Sequence, residues 1–299
     1  MQLSVLVTRV AEETGLNATN DATKIKSWIN EAYKFLAGLR EWPWMLKNGT
    51  IQTVADITNL TASVNAAGTT VTLSAGPAQS LANDYMIQFA TTDDWYLITA
   101  HTAAATTCTI SPGYTGATNL TSGACIIRKV YYSLASDADR IIDMYEAIQD
   151  RQLTYIDPRD LDASFPDPDT TATPEAYTLL GFDATNYWRT SFIPIPDAKI
   201  NIQYRYYKAV AELSGDTDIP TLPAKWHQGI VFVALAMFGH PYCDDSRMSS
   251  AESRARQVVS EMVRQQSPTP DKHSVIIPWD QRGSSQQHGA QWPPNYPRR

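Results

Sequence analysis

The first group of side chains that could carry chemistry lies in one short stretch. His240 and Cys243 precede Asp244 and Asp245, and donors of these types can bind a metal ion. The number of ligands and their spacing fall short of a zinc site. We interpret the stretch as a loop between two helices.

A second group is a run of aspartates in a proline-rich stretch. Its members are Asp157, Asp160, Asp162, Asp167 and Asp169. Carboxylates are calcium ligands, but the stretch lacks the glycine and the bidentate glutamate of a calcium-binding loop. Solvated turns are the preferred interpretation.

A third group is Asp93 and Asp94, which stand before Trp95 and could place two carboxylates beside a ring that stacks on a sugar. Adjacent residues of a strand point to opposite faces, so the two carboxylates would be aimed apart. The sequence also lacks a glycine-rich phosphate loop, a His-Glu-x-x-His motif and a Gly-x-Ser-x-Gly motif. We predict a protein that is not an enzyme and that uses no catalytic residue, metal or cofactor.

Composition limits the function further. The chain has 24 Lys and Arg against 31 Asp and Glu, and the resulting net charge of −7 argues against wrapping nucleic acid by neutralising phosphates. The same charge suits a surface past which DNA slides without sticking. The three cysteines are not closely paired, which predicts reduced thiols. The N-terminal sequence has no features of a secretory signal, so we expect no export.

The elements that position these groups are organised around the stretch 223–267. Residues 229–239 form an apolar run without charge, too short to cross a bilayer, which predicts a helix buried on all sides. Ser249 followed by Glu252 is a capping box, which predicts where the next helix begins.

Two amphipathic helices are predicted at the N-terminus. The first ends at Gly15, and the second begins after Asp21, whose side chain is expected to cap it. Neither helix can bury its apolar face alone, so we expect both to pack on the helix near Ile230. The inward positions of the second helix are Ile25, Trp28, Ile29, Ala32, Tyr33, Leu36 and Leu39.

The sequence between Thr50 and Arg128 changes to short apolar strands that alternate with turn residues. This pattern predicts a small antiparallel barrel or sandwich inserted between helices. The predicted strands include residues 71–73, 85–89, 95–98, 108–110 and 125–127.

The remaining segments are a mixture of predicted elements. Residues 137–148 are predicted to form a short helix capped by Asp137, and residues 150–175 an extended loop. Residues 187–196 and 200–207 are predicted to pair as a β-hairpin. The inward positions of the short helix would be Ile141, Ile142, Tyr145 and Ile148.

The C-terminal segment from Ser267 onward is rich in Gln, Ser, Pro and Gly and cannot form a core of its own. The sequence thus predicts an α+β fold: an α-helical bundle with an inserted antiparallel β-barrel or sandwich domain, a β-hairpin and an extended C-terminal arm. The expected divisions are 1–48 for the N-terminal helices, 49–130 for the β-domain, 131–266 for the segments that complete the bundle, and 267–299 for the arm.

The order of these features resembles the head-to-tail adaptor (connector or head-completion) proteins of tailed bacteriophages, especially those of short-tailed phages. Three pieces in chain order carry the likeness. They are Trp28-Ile-Asn-Glu-Ala-Tyr33 with Trp42-Pro-Trp44; Tyr96-Leu-Ile-Thr99 with Thr109-Ile-Ser-Pro-Gly-Tyr-Thr-Gly116 and Ile126-Ile-Arg-Lys-Val-Tyr-Tyr132; and Ile193-Pro-Ile-Pro-Asp197 with Ile202-Gln-Tyr-Arg-Tyr206 and Asp218-Ile-Pro-Thr-Leu-Pro223.

The resemblance implies a structural virion protein of the neck or tail, assembled in the host cytoplasm without contact to a membrane. It implies a ring of about twelve copies beneath the portal protein, through which genomic DNA passes without sequence-specific binding. Helices would form the ring wall, and the β-domain would meet tail or nozzle proteins and in some phages fibre proteins.

The resemblance also implies that a terminal arm reaches into the portal, a role that we assign to the C-terminal arm. Isolated aromatic residues in a segment without a core suit pockets on a partner. The expected contacts with the portal or a neighbouring subunit are Trp279, Trp292, Tyr296, Arg298 and Arg299.

Two other functions fit parts of the sequence. A carbohydrate- or receptor-binding module on a tail accessory would use the aromatic residues Trp95, Tyr96 and Tyr114 of the predicted strands. A cell-wall hydrolase fused to an adaptor is the third hypothesis.

Overall fold

The computed structural model describes residues 1–90, 94–147, 151–160, 171–183 and 185–266. These residues form a mixed α+β fold that contains a closed six-stranded β-barrel. The helices are α1 (Leu3–Thr14), α2 (Ala22–Gly38), α3 (His227–Phe238) and α4 (Asp245–Gln266), with short 3-10 turns at Pro43–Met45 and Ala224–Trp226.

Helices α1 to α4 pack together into what we call the helical body. Leu6 of α1, Ile29 of α2 and Ile230 of α3 are fully buried in one hydrophobic core. The prediction that the N-terminal helices pack on the helix near Ile230 is therefore confirmed. The end of α1 also agrees with the sequence, because Gly15 adopts the left-handed conformation, with φ of 71°, that ends many helices.

Helix α2 begins directly after Asp21, as predicted, but its expected cap is absent, and α4 begins earlier than expected. Asp21 does not cap α2, because its carboxylate accepts a hydrogen bond at 3.0 Å from the backbone N–H of Asn17. The predicted capping box at Ser249 is wrong, since α4 begins at Asp245. Asp244 accepts a hydrogen bond at 2.8 Å from the backbone N–H of Arg247 and so fills the capping role five residues before Ser249.

The helical body also leaves apolar side chains exposed that the sequence placed inside. Helix α3 is not buried on all sides, because Met237 is 45 % exposed. Leu39, predicted to face inward on α2, lies just beyond the last residue of that helix and is exposed. The apolar pattern marks the inward face correctly but does not show where neighbouring helices stop covering it.

The β-strands form one barrel and two four-stranded sheets. The barrel has the antiparallel order β2-β3-β6-β5-β4-β7, the first sheet the order β1-β14-β9-β10, and the second the order β11-β12-β13-β8. The strands are β1 (Leu46–Gln52), β2 (Thr61–Val64), β3 (Thr70–Leu73), β4 (Tyr85–Phe89), β5 (Trp95–His101), β6 (Thr107–Ser111), β7 (Leu120–Lys129), β8 (Tyr131–Ser133), β9 (Ala138–Glu146), β10 (Arg151–Gln152), β11 (Thr154–Tyr155), β12 (Ala176–Phe182), β13 (Trp188–Ile193) and β14 (Asn201–Lys208).

The barrel contains every strand that the sequence predicted for this region, together with β2. Its interior is filled by alternating side chains of these strands, including Ile87, Phe89, Tyr96, Ile98 and Ile127. Alternation of inward apolar and outward polar residues is the pattern by which such strands are recognised. The strand β2 was not predicted because its sequence, Thr-Ala-Ser-Val, has only one large apolar residue.

The two sheets share a hydrophobic cluster of their own. Ile202 and Tyr204 of the first sheet lie in one cluster with Phe192, Tyr132 and Tyr177 of the second. The aromatic rings of Tyr132 and Phe192 lie 5.3 Å apart. The described residues therefore form three cores: one in the helical body, one in the barrel and one between the sheets.

The helix predicted over residues 137–148 is wrong. This segment is strand β9, which pairs with β14 from Ala138 to Glu146, while residue 148 lies outside the described residues. Over so few residues the positions of Ile141 and Tyr145 fit a helix and a strand alike. The partner strand, which lies far away in the sequence, decides the outcome, and Met144 and Glu146 face inward instead.

The predicted β-hairpin is also wrong, although both of its strands exist. Strand β13 pairs with β12 and β8, whereas β14 pairs with β1 and β9 in the other sheet. Pro194 and Pro196 follow β13 and lack the N–H that a ladder needs. Ile200 then bonds to Thr53 instead, since the backbone N–H of Thr53 donates to the carbonyl of Ile200 at 2.9 Å.

The stretch predicted as an extended loop, residues 150–175, is partly ordered into strands. Its described residues include β10 and β11, and β11 pairs in parallel with β12. Residues 161–170 lie outside the described residues, as do Trp279, Trp292, Tyr296, Arg298 and Arg299.

Candidate interaction surfaces

The stretch from His240 to Asp244 lies between α3 and α4, as the preferred interpretation of a loop between two helices predicted. Asp244 caps α4, His240 is exposed, and the thiol of Cys243 contacts the carbonyl of Glu13 at 3.6 Å. Within the described ranges, His, Cys, Asp and Glu side chains do not assemble in groups of three or more that could hold a metal ion. The arrangement joins α4 to the end of α1.

The aspartate-rich stretch can be followed only in part. The carboxylate of Asp157 accepts a hydrogen bond from the backbone N–H of Arg159 at 3.0 Å, which closes a turn. Asp162, Asp167 and Asp169 lie outside the described residues.

The aromatic residues behind the carbohydrate-binding hypothesis mostly face the interior of the barrel. Tyr96 and Tyr114 are buried, and the ring of Phe89 lies 5.4 Å from the first and 5.3 Å from the second. The ring of Trp95 lies under the guanidinium of Arg128, 4.7 Å away. This hypothesis is corrected accordingly, because two of its three rings cannot stack on a sugar.

Of the two carboxylates considered beside Trp95, only that of Asp94 belongs to the described residues. Asp93 lies outside the described residues, and the carboxylate of Asp94 accepts a hydrogen bond at 2.6 Å from the hydroxyl of Thr115. The same hydroxyl lies 2.6 Å from that of Tyr96. The interaction fastens the loop before β5 to the loop after β6.

A buried ion pair fastens the chain that enters the barrel. The guanidinium of Arg128 on β7 binds the carboxylate of Asp56 through Nε at 3.1 and 3.0 Å and through Nη2 at 2.7 Å. Both side chains are largely shielded from water. Two-point pairing of this kind fixes geometry as well as charge, and it holds the segment before β2 against the barrel wall.

Asp84 joins the barrel to the second sheet. Its carbonyl accepts hydrogen bonds from the backbone N–H groups of Val130 at 2.9 Å and Tyr131 at 3.2 Å, and its carboxylate lies 3.4 Å from Arg189 on β13. Burial raises the pKa of Asp84 against the opposing effect of Lys129 and Arg189. The barrel is thus anchored at the point where the chain leaves β7 for β8.

The helical body carries an apolar groove between α2, α3 and α4, which we call the helical groove. Phe35 of α2 and Met237 of α3 form its walls and are 47 % and 45 % exposed. Small or buried side chains form its floor, and the groove encloses about 390 Å³. The full lining is Phe35, Val233, Ala236, Met237, Ala255, Arg256, Val259 and Ser260.

The groove is apolar in its interior and charged at one rim. Arg256 stands at the rim, where its guanidinium lies 3.1 Å from the carboxylate of Glu252 one turn earlier on α4. Exposed apolar surface of this kind is unfavourable in water and often marks a binding site. The sequence did not predict the groove, because it is assembled from three helices and two of them are far apart in the chain.

A second exposed apolar surface lies at the end of strands β12 and β13, and we call it the aromatic tip. Phe182 is 59 % exposed and its ring lies 4.5 Å from that of Trp188. Leu180 and Tyr187 are exposed beside it. Like the groove, this surface was not predicted, because the tip exists only when the two strands pair.

Asp183 fixes the shape of the aromatic tip. Desolvation opposes its ionisation, but hydrogen bonds from Thr185, from the backbone of Tyr187 and from Ser133 outweigh that effect and lower the pKa of Asp183 to about 2. The carboxylate accepts from the backbone N–H of Tyr187 at 2.9 Å and from the hydroxyl of Ser133 at 2.7 Å. The tip is therefore held in one conformation next to β8.

A cleft of about 650 Å³ lies between the end of α2 and strand β9. Arg40, Glu41, Asp139 and Arg140 are among its lining residues. Arg140 and Glu41 form an ion pair across it.

The chain matches a known protein family. A family model described as SU10 adaptor protein matches residues 1–273. No curated protein matches the chain. In the part of the chain that the structure describes, the helices are all too short or too polar to cross a membrane.

Proposed function

The chain belongs to the SU10 adaptor protein family, and from that premise we propose that it is a head-to-tail adaptor of a tailed bacteriophage that forms a ring between the portal protein and the tail. The observation that carries this proposal is the extent of the family match. It covers 1–273, which includes the helical body, the barrel and both sheets.

The parts of the chain that form the three cores have different proposed roles in the ring. The segments 1–48 and 131–266 would supply the ring wall and the sheets attached to it, and the segment 49–130 would face the tail, nozzle or fibre proteins. In a ring each copy meets its neighbour through two different surfaces, so apolar residues are needed on the outside of the monomer. Phe182 and the rest of the aromatic tip support such a contact, either with a neighbouring copy or with another virion protein.

The proposed relation to DNA is passage without recognition. A net charge of −7 supports a channel that does not retain a polyanion. About twelve copies would enclose the channel, as is usual for a ring that continues a portal. The adaptor would have no catalytic residue and no membrane contact, and it would be assembled in the host cytoplasm and remain in the neck or tail of the virion.

The proposed contact with the portal, or with a neighbouring copy, is the C-terminal arm of residues 267–299. Its aromatic residues have no core of their own, which supports a role as anchors in the pockets of a partner. The proposed contacts are Trp279, Trp292, Tyr296, Arg298 and Arg299.

The experiment that tests the adaptor role measures particle mass with and without the portal protein. The purified chain alone is expected to remain monomeric, and addition of portal rings is expected to produce a complex with several copies of the chain on each portal. A chain that ends at Gln266 should fail to join the portal if the arm makes the contact. Absence of the chain from purified virions, or no complex with the portal, would refute the proposal.

A matched pair of substitutions tests the aromatic tip in the same assay. Phe182→Ser removes an exposed ring at the tip, and Val5→Ser removes an exposed apolar side chain from α1. We expect Phe182→Ser to reduce the number of copies on each portal or to weaken binding of the tail protein, and Val5→Ser to have no effect. Equal behaviour of the two variants would exclude the tip as a contact.

A further inference from the structure

The helical groove is built to hold large apolar side chains. Its floor includes Ala236 and Ala255, and these small residues leave space between the exposed walls formed by Phe35 and Met237. Val233 and Ala255 are buried at the base, so the groove is dry at its bottom and open at its top. An aromatic ring or an aliphatic side chain placed there would remove exposed apolar surface from water, which is favourable.

We propose that the helical groove is the docking site of the segment 275–279 of the same chain. This segment reads Val-Ile-Ile-Pro-Trp and contains the only valine and isoleucine residues after Gln266. The rest of the C-terminal arm is polar, proline-rich or glycine-rich, with single aromatic residues further along. The family match ends at residue 273, so the docking segment belongs to the part of the chain outside the match.

The position of the groove puts it within reach of the segment. Ala255 and Val259 line the groove, and α4 rises about 1.5 Å per residue, so they lie about 16 and 10 Å before the end of α4 at Gln266. Residues 267–274 connect Gln266 to the segment and can extend to about 28 Å. The connection is therefore long enough to turn back along α4 to the groove.

The chemistry of the groove fits the segment. The thioether of Met237 and the ring of Phe35 are favourable neighbours for the indole of Trp279. The rim residue Arg256 has an 82 % exposed side chain, and Asp280 follows Trp279 directly in the sequence. A carboxylate leaving the groove next to a guanidinium adds a favourable charge pair, although exposed pairs contribute little.

Because the segment is covalently attached to α4, it would occupy the groove even if its intrinsic affinity for the groove is low. A short flexible connection gives an effective concentration of about 1 mM, so a groove that binds the free peptide with a Kd of about 0.1 mM would be occupied about nine-tenths of the time. The free peptide would hardly bind at micromolar concentration. The proposal must therefore be tested in the intact chain, and a partner that takes Trp279 must first displace it from the groove.

The test is the alkylation rate of a thiol placed on the groove. Ser260→Cys introduces this thiol at an exposed position of the lining, and Thr8→Cys is the matched control on α1, where the hydroxyl likewise bonds to a carbonyl of its own helix. Both are made with Cys243→Ser. The two remaining cysteines stay silent, since burial raises the pKa of Cys108 and Cys125 to about 11.

Docking predicts that the thiol at position 260 reacts about tenfold more slowly in the full chain than in a chain that ends at Gln266. The control thiol at position 8 should react equally in both chains. Replacing Ile276 and Trp279 by Asp in the full chain should restore the faster rate, which separates apolar docking from mere shielding by the arm.

Two results would overturn the proposal. One is an equal rate at position 260 with and without the arm. The other is protection that disappears on about a hundredfold dilution, because that dependence would mean that a second copy covers the groove. The experiment concerns the isolated chain, so its failure would leave the adaptor role standing, and loss of the adaptor role would leave the docking result standing.

Discussion

Asn30 connects two distant parts of the helical body, and replacing it by alanine is expected to destabilise the protein. Its side-chain amide donates to the carbonyl of Leu213 at 2.9 Å and accepts from the N–H of the same residue at 2.8 Å. Leu213 is only 6 % exposed, so water cannot easily replace both bonds. Asn30 thus pairs with the backbone as a neighbouring strand would.

The size of the effect follows from these two bonds. Losing a hydrogen bond costs about 1 kcal/mol, or about 1–3 kcal/mol where the loss leaves a buried backbone group without a partner. Because two bonds are lost, Asn30→Ala should lower the free energy of unfolding by about 2–4 kcal/mol before any gain in helix propensity. Alanine is the better helix former and returns about 0.5 kcal/mol. The expected net loss is about 1.5–3.5 kcal/mol in the free energy of unfolding. Asn30→Asp keeps the acceptor, loses the donor and sets a carboxylate against the carbonyl of Leu213, so its stability should lie between that of the natural chain and that of Asn30→Ala.

The assay is urea unfolding followed by far-ultraviolet circular dichroism, which reports the helices. Gln257→Ala is the control, because it removes an amide from an exposed position of α4 and should change stability by less than about 0.5 kcal/mol. The reasoning is refuted if Asn30→Ala is as stable as the control, or if Asn30→Asp is as stable as the natural chain.

Three other predictions concern the barrel, the glycines and the dependence on pH. Arg128→Met leaves the carboxylate of Asp56 without its ion pair and should cost about 3–5 kcal/mol in thermal or urea unfolding, whereas adding Asp56→Asn should recover much of that loss. Gly76→Ala should destabilise the protein by about 1–3 kcal/mol because the new Cβ would lie 2.1 Å from a backbone carbonyl oxygen. Gly38→Ala should stabilise α2 by up to about 1 kcal/mol because the new Cβ meets no neighbouring group within 4 Å. Melting curves of the two variants measure whether stability falls in the first and rises in the second. Burial lowers the pKa of His227, so as the pH falls the imidazole is protonated in the unfolded chain before it is protonated in the folded one. The free energy of unfolding should therefore fall as the pH drops below about 6.5, which urea midpoints across that range measure. His227→Gln should lessen this pH dependence.

The parts of the fold that could be predicted are those in which local pattern and final packing agree. In α2, Ile25, Trp28 and Ile29 recur at helical spacing and are all buried in the helical body. In the barrel, short apolar strands between turn residues predicted the elements because each strand alternates between an inside and an outside. The helix near Ile230 was predicted as the partner of the N-terminal helices because it is an apolar run without charge and neither of those helices can bury its apolar face alone.

The errors arose where a distant partner decides the structure. Strand β9 lies beside β14, and the local spacing of Ile141 and Tyr145 could not distinguish this from a helix. Strands β13 and β14 follow each other in sequence but belong to different sheets, because Thr53 takes the hydrogen bonds at Ile200 that a hairpin would need. When two paired strands lie far apart in the sequence, the residues of one strand do not identify its partner.

The candidate surfaces were beyond prediction for the same reason. Phe35 belongs to a helical pattern, Met237 to an apolar run and Val259 to a third helix, and only their packing reveals that they border one groove. The exposure of Phe182 likewise depends on the pairing of β12 with β13. Polar residues of the predicted sites, such as Asp94 and Asp244, instead serve as local hydrogen-bond acceptors that close loops and cap a helix.

The long separation between α2 and α3 has a consequence during synthesis. About 190 residues lie between the end of one helix and the start of the other. At about 5–20 residues per second a ribosome needs about 10–40 s to make them, and during that time the first two helices lack α3, on which their apolar faces pack. The nascent chain is then most exposed to aggregation and most dependent on chaperones, whereas the barrel can already fold while translation continues.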